Sequence, residues 1–252
     1  MPAPTAPAHA LRVLAFDTST DKLALGLQTP EGAFTRIAAG GAQASASLLP
    51  QLQSLLERAG VKYPDIDAVA FGRGPGAFTG LRTSCAVAQG LGLGLNRPLL
   101  PIDSLLIVAE DARAQAGAGV GDFEVAVTMD ARMDEVYAGR YRWRSGQWRA
   151  LQTPALYSLA VLAQAWEALT WQALAGSALA AFGHRLVLPA CGVRVDRESD
   201  RAAALLRLAV AAAQAGAGVD AADALPLYLR DRVALTTRER EAARMAAGAT
   251  GA

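Results

Sequence analysis

The sequence predicts an α/β fold made of two duplicated βββαβα halves with mixed sheets. Three observations support this: short apolar runs alternate with polar turns, leucines recur at helical spacing between them, and the opening hairpin pattern appears a second time. The chain's 252 residues fit one large domain or two of ordinary size, and 52% of them are hydrophobic. That share is enough to bury a sizeable core.

The first half begins with three predicted strands that form a meander. Apolar runs at Leu11–Phe16, Leu23–Gln28 and Ala33–Ile37 are separated by the polar turns 17–22 and 29–32. Strands joined by such short turns pair antiparallel, whereas strands reached through helices pair parallel. The sheet is therefore expected to be mixed.

Helices and strands then alternate to the end of the first half, residues 11–116. A leucine-rich helix is predicted over Ala44–Ala59, with Pro50 in its early turns and Gly60 at its end. The other predicted elements are strand Ile66–Phe71, a glycine-rich loop, helix Thr79–Leu95, strand Leu99–Ile102 and a helix from Ser104 to about Gln115.

The residues from 117 onward repeat the opening pattern of strand, Asp, turn and return strand. At one offset (130 − 17 = 113), the matched pairs are Asp17 and Asp130, Asp21 and Asp134, and Gly26 and Gly139. A second, smaller and degenerate half is assigned to residues 117–235, with its last segment a candidate for packing back on the first. Its predicted elements are strand Tyr141–Ala150, helix Leu159–Leu169, strand Gln172–Ala175 and a helix from Arg201 to about Ala215.

Composition and charge exclude several classes of protein. The net charge of +1 gives no global reason for tight nucleic-acid binding. The arginines at 140, 142, 144 and 149 are either a local basic patch or the wet face of a strand. The two cysteines match no metal or redox spacing. Residues 1–10 and 236–252 are predicted to be loose tails, no stretch has the length of a membrane span, and a cytoplasmic location is expected.

The duplicated strand–Asp–turn resembles the actin-like ATPase architecture. In that architecture, two such turns hold nucleotide phosphates and a metal between the halves. Thr18, Ser19 and Thr20 have the right chemistry for phosphate, and Asp17 and Asp130 end the two strands. The alternative is that each turn is only a turn, with Asp17 accepting hydrogen bonds from the amides of Ser19 or Thr20. Residues 130–132 lack a glycine for close phosphate approach, so intrinsic nucleotide hydrolysis is not expected.

The most distinctive segment is the glycine-rich loop over residues 72–80. Its candidate functional residues are Gly74, Pro75, Gly76, Phe78, Thr79 and Gly80. The loop opens a helix whose N-terminus favours anions, but it lacks the Gly-Lys-Ser/Thr ending of a P-loop. The alternative is a tight connection that lets the helix pack closely on the sheet.

This loop, GRGPGAFTGLR, resembles the signature loop of the TsaB family and, less closely, that of its paralogue TsaD. Residues 14–20, 129–137 and 226–230 resemble TsaB as well, in the family's order, and together the four segments frame nearly the whole chain. The joint match is far more specific than any one of its parts.

The resemblance implies an actin-like fold and a non-catalytic partner role in making N6-threonylcarbamoyladenosine in tRNA. It implies a TsaD-type catalytic subunit and a TsaE-type ATPase as partners, indirect contact with tRNA, and a homodimer when the chain is alone. No cofactor is expected within the chain, and the interface of the complex is the one place left open for an adenine nucleotide.

Histidines separate TsaB from TsaD in this comparison. TsaD-like proteins hold a metal with paired histidines, yet this chain has only His9 and His184, and residues 102–109 are apolar where the pair would be expected. No catalytic residue and no metal ligand are therefore assigned. The alternative function is an actin-like-fold phosphotransferase or a metallopeptidase-like enzyme acting alone.

Two first-half helices are candidates for the partner surface. The widened apolar stripe of the first and the small residues of the second predict that a helix of another subunit packs there, although cover within the monomer is the simpler alternative. The candidate residues are Leu48, Leu49, Leu52, Leu55, Leu56, Leu81, Cys85 and Ala88.

Overall fold

A computed structural model describes residues 11–117 and 121–230. The first half contains five strands and three helices. In chain order they are β1 (Val13–Asp17), β2 (Lys22–Thr29), β3 (Gly32–Ala39), α1 (Ala44–Arg58), β4 (Ala68–Gly74), α2 (Phe78–Leu95), β5 (Leu99–Asp103) and α3 (Ser104–Gln115).

The second half repeats that order element by element. It comprises β6 (Phe123–Arg132), β7 (Glu135–Arg144), β8 (Gln147–Ser158), α4 (Leu159–Trp166), β9 (Ala173–Ala175), α5 (Ala178–Phe182), β10 (Val193–Val195) and α6 (Arg201–Gln214). The short elements β10 and α5 had no periodic signal because each is too brief to show one.

The two five-stranded sheets have the same topology. The strand order is β3-β2-β1-β4-β5 in one sheet and β8-β7-β6-β9-β10 in the other. In each, the opening strand pairs antiparallel with the strand after it and parallel with the strand beyond the first helix. The predicted fold, an actin-like pair of duplicated halves with mixed sheets, is confirmed.

The last helix of each half packs on the sheet of the other. Leu205 and Leu206 of α6 are buried against β1, β4 and β5, while Leu105 and Val108 of α3 are buried against β6 and β9. The predicted boundary between residues 116 and 117 therefore separates the two halves along the chain, but α3 and α6 each pack on the sheet of the other half. The tail predicted at 1–10 and that at 236–252 lie outside the described residues.

The matched glycines, Gly26 and Gly139, lie where α6 and α3 cross the sheets of the opposite halves. A Cβ on Gly26 would lie 3.0 Å from Leu206 Cβ on α6, and one on Gly139 would lie 3.4 Å from Leu105 Cδ2 on α3. Close helix approach thus explains Gly26, where the contact is shorter than side chains normally make. At Gly139 the tighter contacts of an added Cβ, both 3.3 Å, are with the Gln152 carbonyl oxygen and the Tyr141 hydroxyl.

The predicted single strand Tyr141–Ala150 is wrong. Residues to Arg144 belong to β7, residues from Gln147 belong to β8, and a two-residue turn at Ser145 and Gly146 joins them. Both turn residues have left-handed backbone angles, with φ of 51° and 80°, as the favoured hairpin turn requires.

Three of the four arginines in the candidate basic patch have carboxylate partners. Arg140 and Arg142 form ion pairs with Glu124 at 2.6 and 2.8 Å, and Arg144 pairs with Asp122 at 3.3 Å. Burial alone would raise the pKa of Glu124, but hydrogen bonds from Arg142 and Arg140 lower it overall.

The predicted partner surface is wrong for seven of its eight residues, which lie in the monomer's own core. Leu49 is the exception, with 49% of its surface exposed. The buried seven are Leu48, Leu52, Leu55, Leu56, Leu81, Cys85 and Ala88. The buried leucines of α1 cover β2 and β3 rather than a partner, because the meander offers a wide apolar face to one helix. Within the described ranges, no helix is both long and apolar enough to cross a membrane.

Candidate functional site

Asp17 ends β1 at the edge of the sheet that faces the second half, and it is completely buried. Its Oδ1 accepts a hydrogen bond from the Ser19 amide at 2.7 Å, and its Oδ2 accepts one from the Ser19 hydroxyl at 3.0 Å. The predicted Asx turn is therefore present. A Cβ on Gly72 of β4 would clash with the Asp17 side chain, so the neighbouring strand leaves just enough room for the carboxylate.

The second partner of Asp17 is Arg201, at the start of α6. Arg201 Nε and Nη2 both lie 2.7 Å from Asp17 Oδ2, and Nη2 also donates to the Ser19 hydroxyl at 3.2 Å. Nη1 of the same guanidinium lies 2.7 Å from Glu198. Burial alone would lower the pKa of Arg201, but Glu198 and Asp17 raise it above its ordinary value, so the buried guanidinium stays charged.

Two amides of the first turn, those of Thr18 and Ser19, are already used by the protein. The Thr18 amide donates to the Ser84 hydroxyl of α2 at 3.1 Å, and the Ser19 amide donates to Asp17. The Thr20 hydroxyl bonds to the backbone of Lys22. A phosphate bound to the Thr18 and Ser19 amides would have to break bonds that hold the fold, because a buried donor must keep a partner.

The glycine-rich loop packs directly on this turn. The Thr18 hydroxyl donates to the Gly80 carbonyl at 2.6 Å, and the Ala77 amide donates to the Ser19 carbonyl at 2.8 Å. A Cβ on Gly80 would meet the Thr18 carbonyl oxygen at 1.9 Å, and one on Gly76 would meet the Ser19 carbonyl oxygen at 2.6 Å. These glycines therefore serve close packing between loop and turn, whereas the alternative left open from the sequence was close packing of the helix on the sheet.

Four more loop residues have defined surroundings. Gly74 has a φ of +114°, and a Cβ there would lie 2.9 Å from the Leu227 carbonyl oxygen. Pro75 is buried, the Thr79 carbonyl accepts a bond from the Thr83 hydroxyl, and the Phe78 ring lies 5.2 Å from that of Tyr228. The loop thus contacts the segment that follows α6 as well as the first turn.

The second turn has the same Asx geometry but a different surrounding. Asp130 Oδ1 accepts from the Arg132 amide at 2.7 Å, matching the bond between Asp17 and Ser19. Its other oxygen meets Arg132 Nη1 at 3.3 Å, and that arginine side chain is 87% exposed. The next two residues, Met133 and Asp134, continue in the left-handed region with φ of 58° and 57°. Asp130 and Asp17 are therefore brought to the facing edges of the two sheets without sharing a contact.

Arg230 holds the second turn from the segment after α6. Its Nη2 lies 2.9 Å from the Ala131 carbonyl oxygen, 3.3 Å from that of Arg132 and 2.6 Å from a carboxylate oxygen of Glu135. This segment also returns to the first half, where the Leu227 amide donates to the Arg73 carbonyl at 2.7 Å. The segment 227–230 thus connects both halves.

A second buried carboxylate lies between the exchanged helices. Glu110 of α3 is 2% exposed and accepts hydrogen bonds from Arg113, Arg207 of α6 and the Trp148 indole. Burial alone would raise the pKa of Glu110, but these hydrogen bonds lower it overall. Asp111 beside it accepts from the amides of Ser199 and Asp200 at the start of α6.

Among the residues described, no group of three or more His, Cys, Asp and Glu side chains is placed to hold a metal ion. His184 lies in a short 3₁₀ turn at Gly183–Arg185, away from both Asp-containing turns in sequence, and His9 lies outside the described residues. The absence of a metal site in the chain as a whole stays a prediction.

Residues 41–213 match the sequence profile of the family described as "TsaD: tRNA N6-adenosine threonylcarbamoyltransferase". A solved structure of YeaZ from Pseudomonas aeruginosa is 37% identical, covers 87% of this chain and all of its own, and superposes with a TM-score of 0.77. Proteins named "tRNA threonylcarbamoyladenosine biosynthesis protein TsaB" are similar as well. The Escherichia coli protein is 35% identical over 132 residues, and that of Haemophilus influenzae is 39% identical over 129 residues.

The chain belongs to this family, and within it to the TsaB branch. The alignments cover 52% and 50% of this chain, and they span 55% and 52% of those two TsaB proteins, about half the length of these curated relatives. The sequence resemblance to TsaB is thereby confirmed.

In this TsaB-branch chain, the residues that define the site were only partly found from the sequence. The two aspartates and the glycine-rich loop were predicted, but Arg201, Ser84 and Glu110 were not. Arg201 opens a helix 184 positions after Asp17, so no local spacing links them. The sequence did contain one signal for Arg201. It stands directly before the apolar residues of α6, and a charged residue at such a position is a candidate for burial.

Proposed function

We propose that this chain is a non-catalytic partner subunit in the synthesis of N6-threonylcarbamoyladenosine in tRNA, supporting a TsaD-type catalytic subunit. The observation that carries the proposal, beside the TsaB likeness, is the ion pair between Asp17 and Arg201. A carboxylate held by a buried guanidinium is not free to bind a metal ion, and turn amides bonded within the protein are not free to hold phosphate. This arrangement supports a scaffold rather than a phosphotransferase.

The outward faces of α1 and α2 are the proposed partner surface, in place of the buried leucines. Leu49 on α1 is 49% exposed and Leu93 on α2 is 74% exposed. Ala86, Gly90 and Gly94 are also exposed on α2, and a Cβ added to either glycine would meet nothing within 4 Å. Small residues with open space above them let the backbone of a partner helix approach closely.

The remaining partners belong to the same proposal. A TsaE-type ATPase joins the full complex, tRNA is contacted through the complex, and any adenine nucleotide binds at an interface between subunits rather than within this chain. Alone, the chain pairs with a second copy through the same α1 and α2 face, as an isologous contact would.

Reconstitution tests the function. The purified chain is combined with a TsaD-type subunit, a TsaE-type ATPase and an enzyme that makes threonylcarbamoyl-adenylate, and the modified nucleoside in tRNA is measured by mass spectrometry. We expect product only when this chain is present. We expect no ATP turnover and no tRNA modification by the chain alone; robust turnover that disappears on changing Asp17 would favour the phosphotransferase instead.

Two matched variants locate the partner surface. Gly90→Arg places a long charged side chain on the open face of α2, and Val187→Arg places one on the second half, where Val187 is 69% exposed. We expect only the first to abolish complex formation and dimerisation in size-exclusion chromatography with light scattering. If Gly90→Arg still assembles, the proposed surface is wrong, whereas the reconstitution result stands by itself.

A further inference from the structure

The two sheets end in four outer strands, β3, β5, β8 and β10, and three of these are protected against pairing with another chain. On β5, Leu99 exchanges two backbone hydrogen bonds with Val219, at 2.8 and 2.9 Å, and Pro101 has no N–H. β10 has only three residues, while β8 contains Pro154 and shifts its register with β7 twice. Cover, short length, proline and irregular pairing are the usual means by which proteins keep sheet edges from pairing.

The fourth outer strand, β3, has a regular edge. Its eight residues read GAFTRIAA, without proline, and they pair with β2 in one unbroken register. Among the residues described, the backbone hydrogen bonds made outside helices and strands include none from residues 33–39. Such an edge is a template for one more strand, because its outward N–H and C=O groups match those of an extended chain.

The turn before β3 determines which backbone groups point outward. Pro30 and Glu31 join β2 to β3, and a two-residue turn of this kind is closed by a hydrogen-bonded pair, here Thr29 and Gly32. Bonded and non-bonded pairs alternate along an antiparallel ladder, so the even-numbered residues of β3 bond to β2. The odd-numbered residues of 33–39 therefore direct their N–H and C=O groups away from the sheet.

The side chains of β3 add a cation on one face and an apolar group on the other. Arg36 lies on the face covered by α1, where its Nη1 is 3.5 Å from the Ser54 hydroxyl, beyond the usual length of a hydrogen bond. Within the described ranges, Arg36 forms no ion pair with a carboxylate. Ile37, on the opposite face, is 42% exposed. An added strand is therefore complementary when it places a carboxylate opposite Arg36 and an aliphatic side chain opposite Ile37.

Charge favours a strand from a different protein over a second copy of this chain. β3 contains no Asp or Glu, so two copies pairing edge to edge about a two-fold axis would offer no carboxylate to Arg36. Residues 1–10 contain three prolines and no acidic residue. That segment lacks both the charge and several of the backbone donors that an added strand needs.

We propose that the edge of β3 binds an extended segment of a partner protein as a sixth strand of the first sheet. The backbone of that segment bonds to the outward groups of residues 33–39. An Asp or Glu of the segment faces Arg36, and a neighbouring aliphatic residue packs on Ile37. In strand addition the backbone bonds give affinity and the alternate side chains give specificity. The site is the backbone edge of β3 rather than the outward faces of α1 and α2, so either proposal can fail without the other.

A displayed library of random eight-residue peptides, with the full chain as bait, provides the probe. We expect the enriched peptides to carry an acidic residue next to an aliphatic one, and fluorescence polarisation gives the affinity of the best of them. N-methylation of that peptide then tests the backbone bonds. Neighbouring N–H groups of a strand point to opposite sides, so methylating one alternate set should weaken binding by about tenfold or more, and methylating the other set should not. Equal effects of the two sets overturn the proposal.

Two variants of Thr35 test the same bonds from the side of the chain. Thr35→Pro removes one outward N–H and no bond to β2, a position at which an edge strand tolerates proline. We expect this variant to keep its melting temperature and to bind the best peptide about tenfold more weakly. Thr35→Val keeps the N–H, is the matched control and should bind like the unmodified chain. Equal affinities of the two variants contradict the proposal.

The other occupants of this edge correspond to distinct results. Enrichment of basic peptides, or of none, overturns the proposal. A dimer that light scattering detects and that Thr35→Pro dissociates would assign the edge to a second copy. Competition by a peptide of residues 231–245 would assign it to the chain's own C-terminal segment. Gly90→Arg, on the proposed partner face of α2, should bind the peptide normally, which separates this site from that face.

Discussion

The ion pair between Asp17 and Arg201 gives the sharpest stability prediction. In Arg201→Met the packing volume of the long side chain is largely kept, but Asp17 remains fully buried with its cation removed. Breaking a buried pair by removing one partner costs about 3–5 kcal/mol. For a domain of this size each kcal/mol corresponds to roughly 2–4 °C, so we expect the melting temperature to fall by about 6–20 °C.

The double variant Asp17→Asn with Arg201→Met distinguishes the ion pair from packing. Asparagine keeps the oxygen that accepts from the Ser19 amide, and no unpaired charge is left. Replacing both partners of a buried pair is often close to neutral, so the double variant should be more stable than Arg201→Met alone. The coupling between the two substitutions is measured by a double-mutant cycle in urea.

Two results would refute this reasoning. Additive effects of the two substitutions would mean that Asp17 and Arg201 act separately, and an unchanged melting temperature in Arg201→Met would mean that Asp17 is stabilised by its turn alone. The turn by itself predicts a loss of about 1–3 kcal/mol in Asp17→Ala. Asp17→Ala also removes the carboxylate that pairs with Arg201 and leaves the buried guanidinium without it. The loss is therefore expected at the upper end of that range or above it.

Three further predictions concern the core, the loop and pH. Leu52→Ala should lower the free energy of unfolding by about 2–5 kcal/mol because Leu52 is fully buried, whereas Leu49→Ala should change it by about 0.5 kcal/mol or less. A loss in Leu52→Ala as small as that in Leu49→Ala, measured by urea titration, would mean that Leu52 is not a core residue. Gly80→Ala should destabilise by about 1–3 kcal/mol or more, because the new Cβ meets a backbone oxygen at 1.9 Å, and a folded variant of unchanged stability would contradict the loop geometry. Hydrogen bonds lower the pKa of Glu110 despite its burial. The contribution of Glu110 to stability is therefore present above its unfolded pKa of about 4.3 and is lost as the pH falls through its lower folded pKa. Glu110→Gln should flatten the dependence of melting temperature on pH in that window, and the exposed Glu57→Gln should not.

The sequence by itself determined the duplication, the strand–Asp–turn motif and the family. These features are readable because they are local: apolar runs, turn residues and a constant offset are written in adjacent positions. The Asx bond between Asp17 and the Ser19 amide followed for the same reason, since its two groups are two residues apart.

Only the tertiary structure decided which apolar residues are core and which are surface. Adjacent leucines on α1 indicate a wide apolar stripe, but the sequence does not say how much of that stripe the meander covers. Leu48 is buried and Leu49 next to it is half exposed, a difference set by the direction of each side chain on the helix and by the sheet beneath it.

Tertiary structure also decided what the first turn can do. The sequence placed an Asp with three hydroxyl residues where an actin-like fold holds a nucleotide, and it left open whether the turn was a site. The exchange of α3 and α6 between the halves brings Arg201 to Asp17 across 184 positions. A buried charge requires a partner at contact distance, and which residue provides it depends on helix packing that no local pattern encodes.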